Sequence, residues 1–415
     1  MKINFEKINT GEIGSFLGFL YPKVEANKES LLIQLLTAFG SCLGQKVYFK
    51  AAEDKHFTNL YVAIVGKSAR GRKGQSLNMI KQIFRGVDDQ WYEKQIFKGL
   101  SSGEGLIKTV SDEFVIDEFS KVEILKEKKD KRALIIESEF SSVLKMTQRE
   151  GNILSQVLRD AWDSVPLEIM TKNDPMRTRN THISIIGHIT NAELLRFLSS
   201  TEIANGLGNR FIFIKGERDK KLPIPEPLSG EELEYMKSYL KKAIVHGQNS
   251  FEIKFTEEAS AYWNKIYCSI DVVDCTIVGT LTARQEAQIR RLAMIISLFN
   301  LKDRIDLDSL VFAEQIFNYS IETLKEIYGN STGDPLTDKI LDLLKASPNG
   351  LSRSEIHAGL SKNYQKGSLD NSLMLLESQG VAYCTKEPSN GRPVERWFYK
   401  EKHPESNEIN EESLT

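Results

Sequence analysis

The chain has 415 residues, which is enough for two or three domains of ordinary size. Lysine and arginine total 55 against 57 aspartate and glutamate residues, so the formal net charge is −2 and a strongly basic, histone-like nucleic-acid binder is excluded. Hydrophobic residues make up 40% and charged residues 27% of the chain, a globular composition that excludes collagen-like and wholly disordered classes. Contact with nucleic acid would therefore need a local basic patch.

The cysteines show neither a disulfide framework nor a metal-binding pattern. Cys42, Cys268, Cys275 and Cys384 form no CxxC pair, and the histidines do not flank them at metal-ligand spacing. We therefore expect free thiols in a reducing compartment. The N-terminus lacks the apolar stretch of a signal peptide, and the longest apolar runs are far shorter than the ~20 residues that span a bilayer. The sequence predicts a cytoplasmic protein with no membrane partner.

Residues 1–220 alternate between helical and strand patterns. Residues 1–50 form a mainly helical segment, and residues 51–220 form the candidate core. The core begins with Leu60–Val65, a continuous apolar run of the kind that forms buried parallel strands, followed by a basic glycine-rich loop and a helix. Further strand patterns occur at Ala133–Glu137, His182–Thr190 and Arg210–Glu217. Helical patterns separate them, so the core predicts an α/β fold with a mostly parallel sheet and helices on both faces.

The rest of the chain predicts two further units. Three prolines between positions 223 and 227 mark a connector, and residues 231–330 are helical in pattern almost throughout. Residues 335–400 give three helices followed by two strands around an Asn-Gly turn, which is the order of a winged helix-turn-helix. The polar, acidic tail 401–415 predicts disorder.

The loop after Leu60–Val65 has the components of a phosphate-binding loop. Glycine-rich backbone, a lysine and the start of a helix together bind anions. The usual motif is GxxxxGK followed by Ser or Thr, but GKSARGRKGQS has arginine at the expected lysine and the lysine one position later. The predicted phosphate-binding residues are Gly66, Gly71, Arg72, Lys73, Gly74, Gln75 and Ser76. Ser76 is also a candidate Mg²⁺ ligand, and a basic glycine loop without any ligand is the alternative interpretation.

Acidic side chains follow the second core strand. Glu137 and Glu139 stand at the carboxyl end of Ala133–Glu137, where open α/β sheets bind ligands, and strand alternation places both on one face. Nucleotide hydrolysis needs one carboxylate for Mg²⁺ and another to polarise the attacking water. Glu137 is the candidate for Mg²⁺, and Glu139 or Glu104, the latter in a Gly/Ser loop, for the water. A solvated strand end is the alternative.

Later strands and helices add further candidates. His188 and Thr190 end a core strand, where a polar group could sense a γ-phosphate, although a lone histidine there is as often structural. Arg210, just before the last strand, and Arg284, on a basic amphipathic helix, could stabilise phosphate charge in the same or a neighbouring subunit. Surface arginines with no such role are the alternative.

About three quarters of the chain, from about residue 10 to 330, resembles a P-loop ATPase family of unknown function that is related to RecA and DnaB-type helicases. Members occur in phages, plasmids and integrated elements, beside primase modules. The matching segments are LLIQLLTAFGSCLG, HFTNLYVAIVGKSARGRKGQS, GLSSGEGLI, LIIESEFSSVLKMTQREGNILSQVLRDAWD, HISIIGHIT, ANGLGNRFIFI and ARQEAQIRRLAMIISLF. The resemblance implies a RecA-like core that binds ATP and Mg²⁺, with Lys73 and Glu137 as the phosphate and magnesium positions. It also implies that the shifted lysine is a family trait, and the helix with Arg284 is similar to the sensor helix of hexameric replicative motors.

The C-terminal unit is the candidate contact with duplex DNA. In a helix-turn-helix the second helix enters the major groove, and basic residues of the wing contact phosphates. The predicted DNA-binding residues are Lys362, Lys366, Asn371, Arg392 and Arg396. Nine basic and seven acidic residues between 335 and 400 leave a net charge of only +2, and winged helices also bind proteins.

These patterns lead to a principal hypothesis and an alternative. The principal hypothesis is an ATP-hydrolysing, DNA-associated motor of helicase type from a mobile element, with single-stranded DNA passing through the core. Its expected partners are further copies of the chain, up to a hexamer, and a primase. The alternative is a nucleotide-gated DNA-binding regulator with negligible turnover.

Overall fold

The structure, a computed structural model, divides into two compact units. The first comprises Met1–Asp271 and Thr280–Gly329, and the second comprises Val272–Gly279 and Asn330–Thr415. The residues it describes are 3–6, 8–67, 72–116, 123–126, 128–170, 176–249, 252–270, 276–329, 331–360, 366–378, 381–387 and 394–400. Across these ranges, no helix combines the length and the apolar character that crossing a membrane requires.

Helices occupy most of the described chain. They are α1 Glu12–Leu20, α2 Lys28–Leu43, α3 Lys73–Phe84, α4 Asp89–Lys94, α5 Gly103–Val110, α6 Phe140–Thr147, α7 Leu154–Asp163, α8 Asn191–Phe197, α9 Ser200–Ala204, α10 Gly230–Asn249, α11 Glu257–Ile270, α12 Ile277–Thr282, α13 Gln285–Phe299, α14 Leu307–Tyr328, α15 Pro335–Lys345, α16 Arg353–Gly359 and α17 Lys366–Ser378. Short 3₁₀ helices lie at Tyr21–Lys23, Gly44–Lys46 and Gly208–Arg210. The predicted helix after the glycine-rich loop is confirmed, and it begins at Lys73.

The strands form one main sheet and several small ones. They are β1 Phe49–Ala51, β2 Asp54–His56, β3 Tyr61–Val65, β4 Ile96–Phe97, β5 Glu113–Ile116, β6 Glu123–Lys126, β7 Arg132–Glu137, β8 Leu167–Ile169, β9 Met176–Thr178, β10 His182–Ile189, β11 Phe211–Lys215, β12 Lys254–Phe255, β13 Arg304–Ile305, β14 Leu351–Ser352, β15 Ala382–Glu387 and β16 Val394–Tyr399. The two-stranded sheets are β1-β2, β5-β6, β8-β9 and β12-β13.

The main sheet has the order β11-β3-β10-β7-β4, and all its neighbouring strands are parallel. The predicted α/β fold with a parallel sheet is therefore confirmed. Strands β3 and β10 are buried along their whole length, as continuous apolar runs require when helices cover both faces. The last strand is shorter than predicted, because Arg210 belongs to a 3₁₀ helix and β11 begins at Phe211.

Helices cover both faces of this sheet. Helix α2 is buried at every residue except Lys28 and packs against β3, β7, β10 and β11. A helix that is apolar on most sides belongs in such a core. Successive residues of β10 point to opposite faces: His188 meets Gln34 of α2, whereas a side chain at Gly187 would meet Phe140 of α6. Helix α6 therefore covers the face opposite α2.

The N-terminal segment, the candidate core and the helical region share one hydrophobic core. It includes Leu20 of α1, Leu36 of α2, Ile64 of β3, Ile295 of α13 and Phe312 of α14. Helices α13 and α14 pack against each other, and α14 also packs against β11. Residues 1–50, 51–220 and most of 231–330 thus belong to the same compact unit.

The second unit has a hydrophobic core of its own. It contains α15, α16, α17 and an antiparallel sheet in the order β14-β16-β15. Ile340, Ile356, Leu373 and Trp397 are among its buried residues. The order of three helices and two long strands matches the sequence expectation, and β14 adds a short third strand. The tail 401–415 lies outside the described residues.

Candidate functional site

The carboxyl ends of β3 and β10 lie side by side, with Val65 paired to Ile189. From β3 the chain enters α3, which packs against α2, whereas from β10 it enters α8, which packs against α6. The two connections therefore leave towards opposite faces of the sheet. In open parallel sheets, such a switch point opens a crevice in which ligands bind.

Lys73 spans this switch point. It is the first residue of α3, and its Nζ donates hydrogen bonds to the carbonyl oxygens of Gly66, at 3.0 Å, and Ile189, at 2.7 Å. Burial lowers the pKa of Lys73 to about 8, an effect that the negative charge of Glu193 opposes. The carbonyl partners are neutral, so these two hydrogen bonds bring no negative charge to the ammonium.

Gly66 allows two strand ends to approach each other closely. A Cβ atom on Gly66 would lie 2.1 Å from the carbonyl oxygen of Gly216, the residue that follows β11. A Cβ on Gly216 would in turn lie 3.1 Å from Cγ of Lys73. Sequence analysis missed Gly216, although a glycine directly after a buried strand is a visible signal of close backbone approach. Of the other predicted glycines, Gly74 is exposed in the first turn of α3 and Gly71 lies outside the described residues.

Arg72 and Gln75 both contact Glu25. Arg72 precedes α3 with a left-handed backbone (φ 50°), and its Nε lies 2.7 Å from Oε2 of Glu25. The amide of Glu25 donates to Oε1 of Gln75 at 3.0 Å. The structure therefore joins the start of α3 to a buried acid that no sequence motif identifies.

Ser76 points away from the crevice. Its side chain is fully buried, with Oγ donating to the carbonyl oxygen of Lys73 at 2.8 Å and accepting from Nε2 of Gln34 at 2.8 Å. This position does not support the prediction that Ser76 binds Mg²⁺. The hydroxyl instead fastens the first turn of α3 to α2.

His188 is buried beneath the same turn. Its Nε2 lies 3.3 Å from Oε1 of Gln34, and burial, together with the charges of Lys73 and Lys81, lowers the pKa of His188 to about 4. The imidazole is therefore neutral and faces α2. The geometry therefore supports a structural role for His188.

The predicted carboxylates lie at the carboxyl edge of the sheet. Glu137 is buried, and its Oε1 accepts a hydrogen bond from the amide of Leu100 at 2.7 Å. Strand β7 ends at Glu137, so alternation does not extend to Glu139, which is exposed at the N-cap position of α6. Glu104 is also exposed, but it lies in the first turn of α5 and not in a loop as predicted, because Ser102 caps that helix.

Glu193 is a fourth carboxylate at this edge, which sequence analysis missed. Its Oε2 accepts from Oγ1 of Thr190 at 2.8 Å and from the Thr190 amide, and its Oε1 accepts from Oγ of Ser141 at 2.9 Å. The hydrogen bond from the Thr190 side chain is the main cause that lowers the pKa of Glu193. Thr190 is thus a helix cap, and the Thr-x-x-Glu spacing was the available signal for this pair.

Arg210 and Arg284 both bind Asp163, the last residue of α7. Arg210 is buried and donates from Nη2 to Oδ2 of Asp163, while Nη1 of Arg284 lies 3.1 Å from Oδ1. The two guanidinium groups lie 5.7 Å and 5.1 Å from the ring centre of Trp162. Both arginines therefore have partners within the first unit.

The Asp163 cluster lies at the amino edge of the sheet, opposite Lys73. Arg210 immediately precedes Phe211, which pairs with Tyr61 at the start of β3. The length of β3, about 13 Å at the usual rise per residue, therefore separates this edge from the carboxyl edge. Neither arginine reaches the phosphate loop of its own chain, so only the neighbouring-subunit form of that prediction stands.

The structure describes three of the five predicted DNA-binding residues of the second unit. Asn371 is exposed on α17, which begins at Lys366, and Lys362 and Arg392 lie outside the described residues. Nη1 of Arg396 donates to the carbonyl oxygen of Gly350 at 3.0 Å and lies 3.4 Å from a carboxylate oxygen of α16. Arg396 is thus already engaged within its own unit.

Two apolar side chains are prominent on the exposed side of α17. Met374 is 60% exposed and Leu375 is 41% exposed. The other exposed positions described between 367 and 378 are glycine, serine, asparagine and glutamate. None of the exposed side chains described on this surface is basic.

The family comparisons do not assign the chain. No model of a known protein family matches it, and no curated protein is significantly similar to it. The geometry of the switch point is therefore the basis for a function.

Proposed function

We propose that the first unit is a P-loop NTPase with a RecA-like core, which binds the phosphates of ATP at the carboxyl edge of its parallel sheet. The observation that carries this proposal is Lys73, whose ammonium lies on the carbonyl oxygens of Gly66 and Ile189 at the switch point. A lysine in the first turn of a helix, after a buried strand and a glycine-rich loop, is the arrangement that binds nucleotide phosphates.

The surrounding groups also favour an anion. Arg72 is half exposed beside Lys73, and the 12-residue helix α3 directs the positive end of its dipole towards the same edge. An incoming phosphate would exchange weak carbonyl acceptors for a charged one, because charge-assisted hydrogen bonds are about twice as strong as neutral ones.

Mg²⁺ accompanies ATP in such sites and neutralises phosphate charge. Among the described residues, no three His, Cys, Asp or Glu side chains form a group that could hold a metal ion. Mg²⁺ bound with a nucleotide needs only one or two carboxylates, since phosphates and water supply the other ligands. Glu137 fits this role because its carboxylate lies at the carboxyl side of the sheet with one oxygen fixed by Leu100.

We extend the proposal to a DNA-associated motor of helicase type that acts as an oligomer, with the second unit as a winged helix-turn-helix. The resemblance to phage and plasmid ATPases supports this extension, as does the order of elements in the second unit. A nucleotide-gated regulator with negligible turnover is the second candidate. The distance of Arg210 and Arg284 from Lys73 favours it, because neither of these two arginines then reaches the transferred phosphate within a single chain.

ATP hydrolysis by the full chain, with and without single-stranded DNA, tests this proposal. A motor shows turnover that single-stranded DNA stimulates and that rises more than linearly with chain concentration. A regulator binds ATP without either effect. A chain that does not bind ATP contradicts both candidates.

A further inference from the structure

Glu25 is a buried carboxylate directly beside the proposed phosphate site. It lies just before α2, and only 4% of its surface is exposed. Nε of Arg72 lies 2.7 Å from Oε2, while Oε1 accepts hydrogen bonds from Arg218 and, at 2.9 Å, from the Leu222 amide. The Leu222 amide and then Arg218 lower the pKa of Glu25, so that it is ionised at neutral pH.

The backbone of Glu25 extends the same set of contacts. Its amide donates to Oε1 of Gln75 at 3.0 Å, and its carbonyl oxygen accepts from the amide of Asp219 at 3.0 Å. Glu25 therefore contacts the residue before α3, the first turn of α3 and the segment that follows β11. These contacts fix the start of α3 against the sheet edge.

The contact with Arg72 orients a second cation beside Lys73. The guanidinium is bound to Glu25 through Nε, whereas phosphates are bound in bidentate fashion by the fork of an arginine. The Arg72 side chain is 47% exposed, so this fork is accessible. Arg218 contributes a second positive charge to Glu25, so the group of Arg72, Glu25 and Arg218 carries a net charge of +1 and remains attractive to an anion.

We propose that Glu25 is a positioning residue for the proposed ATP site, which holds Arg72 so that its guanidinium contacts the nucleotide phosphates beside Lys73. This inference rests on the proposed function. It assigns Glu25 an effect on phosphate binding that is transmitted through Arg72, beyond any effect on stability.

The test compares the affinities of the full chain and its variants for adenosine, ADP and ATP. Glu25→Gln keeps the size and the acceptor oxygen but removes the charge. We expect it to bind ATP about tenfold more weakly and adenosine unchanged, because only the phosphates meet Arg72. The matched control is Glu326→Gln. It removes a carboxylate of α14 that lies 2.6 Å from Nζ of Lys215, and it should leave ATP affinity unchanged.

A double-mutant cycle separates a positioning role from a structural one. Because Glu25 acts through Arg72, adding Glu25→Gln to Arg72→Gln should cause no loss of ATP affinity beyond that of Arg72→Gln alone. Additive losses, an equal loss for adenosine, or unchanged ATP affinity in Glu25→Gln would overturn the inference. If Glu25→Gln does not fold, Arg72→Lys replaces it, since lysine lacks the fork. Wild-type ATP affinity in Arg72→Lys would then overturn the inference.

Lys73→Ala distinguishes an error in the proposed function from an error in the role assigned to Glu25. If Lys73→Ala binds ATP as the wild type does, the proposed function is wrong. If Lys73→Ala loses ATP binding while Glu25→Gln retains it, only the role of Glu25 is wrong.

Discussion

Nζ of Lys73 lies 2.7 Å from the carbonyl oxygen of Ile189, although 116 positions separate the two residues in the chain. The same oxygen accepts the Gly66 amide at 3.1 Å. One carbonyl at the end of β10 therefore fixes both the strand that precedes the phosphate loop and the lysine that follows it. Phosphate binding at this point would have to displace or share that hydrogen bond.

Proton uptake on ATP binding follows from the state of Lys73. Burial lowers the pKa of its ammonium to about 8, and a bound phosphate raises it again. The free protein therefore takes up a fraction of a proton when it binds ATP near pH 8, and affinity falls as pH rises from about 7.5 to 9. Calorimetry in two buffers of different ionisation enthalpy measures the uptake, and Lys73→Arg, which stays charged, is the control. Affinity that is constant over this range in the wild type would contradict the assignment.

The stability of the nucleotide-free protein should increase over this pH range, whereas ATP affinity decreases. Because the pKa of Lys73 is lower in the folded state than its ordinary value of 10.5, the unfolded chain binds more protons above about pH 8. The contribution of Lys73 to the free energy of unfolding therefore increases as pH rises through that range. The difference between wild type and Lys73→Arg in denaturant titrations at several pH values isolates this contribution.

Glu137→Gln should bind ATP but hydrolyse it at least ~10²-fold more slowly, because it removes a fixed charge from the site. Glutamine retains Oε1, so it can still accept the hydrogen bond from Leu100. Glu93→Gln is the matched control, since that carboxylate is exposed on α4. The measurement is single-turnover hydrolysis with saturating ATP. Full turnover by Glu137→Gln would show that Glu137 is not the Mg²⁺ ligand and that another carboxylate has this role.

Arg284→Ala should leave ATP affinity within about twofold of wild type, because the Asp163 cluster lies at the opposite edge of the sheet. If Arg284 acts on a neighbouring subunit, mixing Arg284→Ala chains with Lys73→Ala chains restores hydrolysis that neither variant shows alone. The Lys73→Ala chain then supplies Arg284, and the Arg284→Ala chain supplies the nucleotide-binding site. Full hydrolysis by Arg284→Ala alone contradicts this role.

Deletion of residues 335–415, which hold the hydrophobic core of the second unit, should preserve ATP binding, since the two units have separate hydrophobic cores. If the second unit binds duplex DNA, the truncation weakens that binding, and Arg392→Ala with Arg396→Ala reproduces part of the loss. Each lost phosphate contact lowers the salt dependence of binding by roughly 0.9 in logarithmic slope. Equal affinities and slopes for the full chain and the variants would instead favour a protein partner for the apolar surface at Met374 and Leu375.

Several features of the fold and site were accessible from the sequence because their causes are local. Strand β3 is a continuous apolar run, and a basic glycine-rich loop separates it from α3, so both the strand and the position of Lys73 could be predicted. The placement of Arg210 was also accessible in principle. It precedes a strand of a parallel sheet, and this order alone places it at the amino edge.

The remaining features depend on contacts between distant parts of the chain. Ser76 is buried because Gln34, 42 positions away, donates to its hydroxyl. Glu25 has partners 193 and 197 positions away, Arg218 and Leu222, and no local pattern distinguishes it from a surface glutamate. Burial of a polar side chain follows from such tertiary partners, which spacing and composition do not specify.

The central claim is that Lys73 binds the phosphates of ATP, and ATP titration of Lys73→Ala tests it most directly. The matched control is Lys94→Ala, which removes an exposed lysine of α4. Wild type and Lys94→Ala should bind ATP equally, whereas Lys73→Ala should show no measurable binding while keeping the thermal unfolding temperature of a folded chain. ATP affinity in a folded Lys73→Ala variant equal to that of the wild type would contradict the claim.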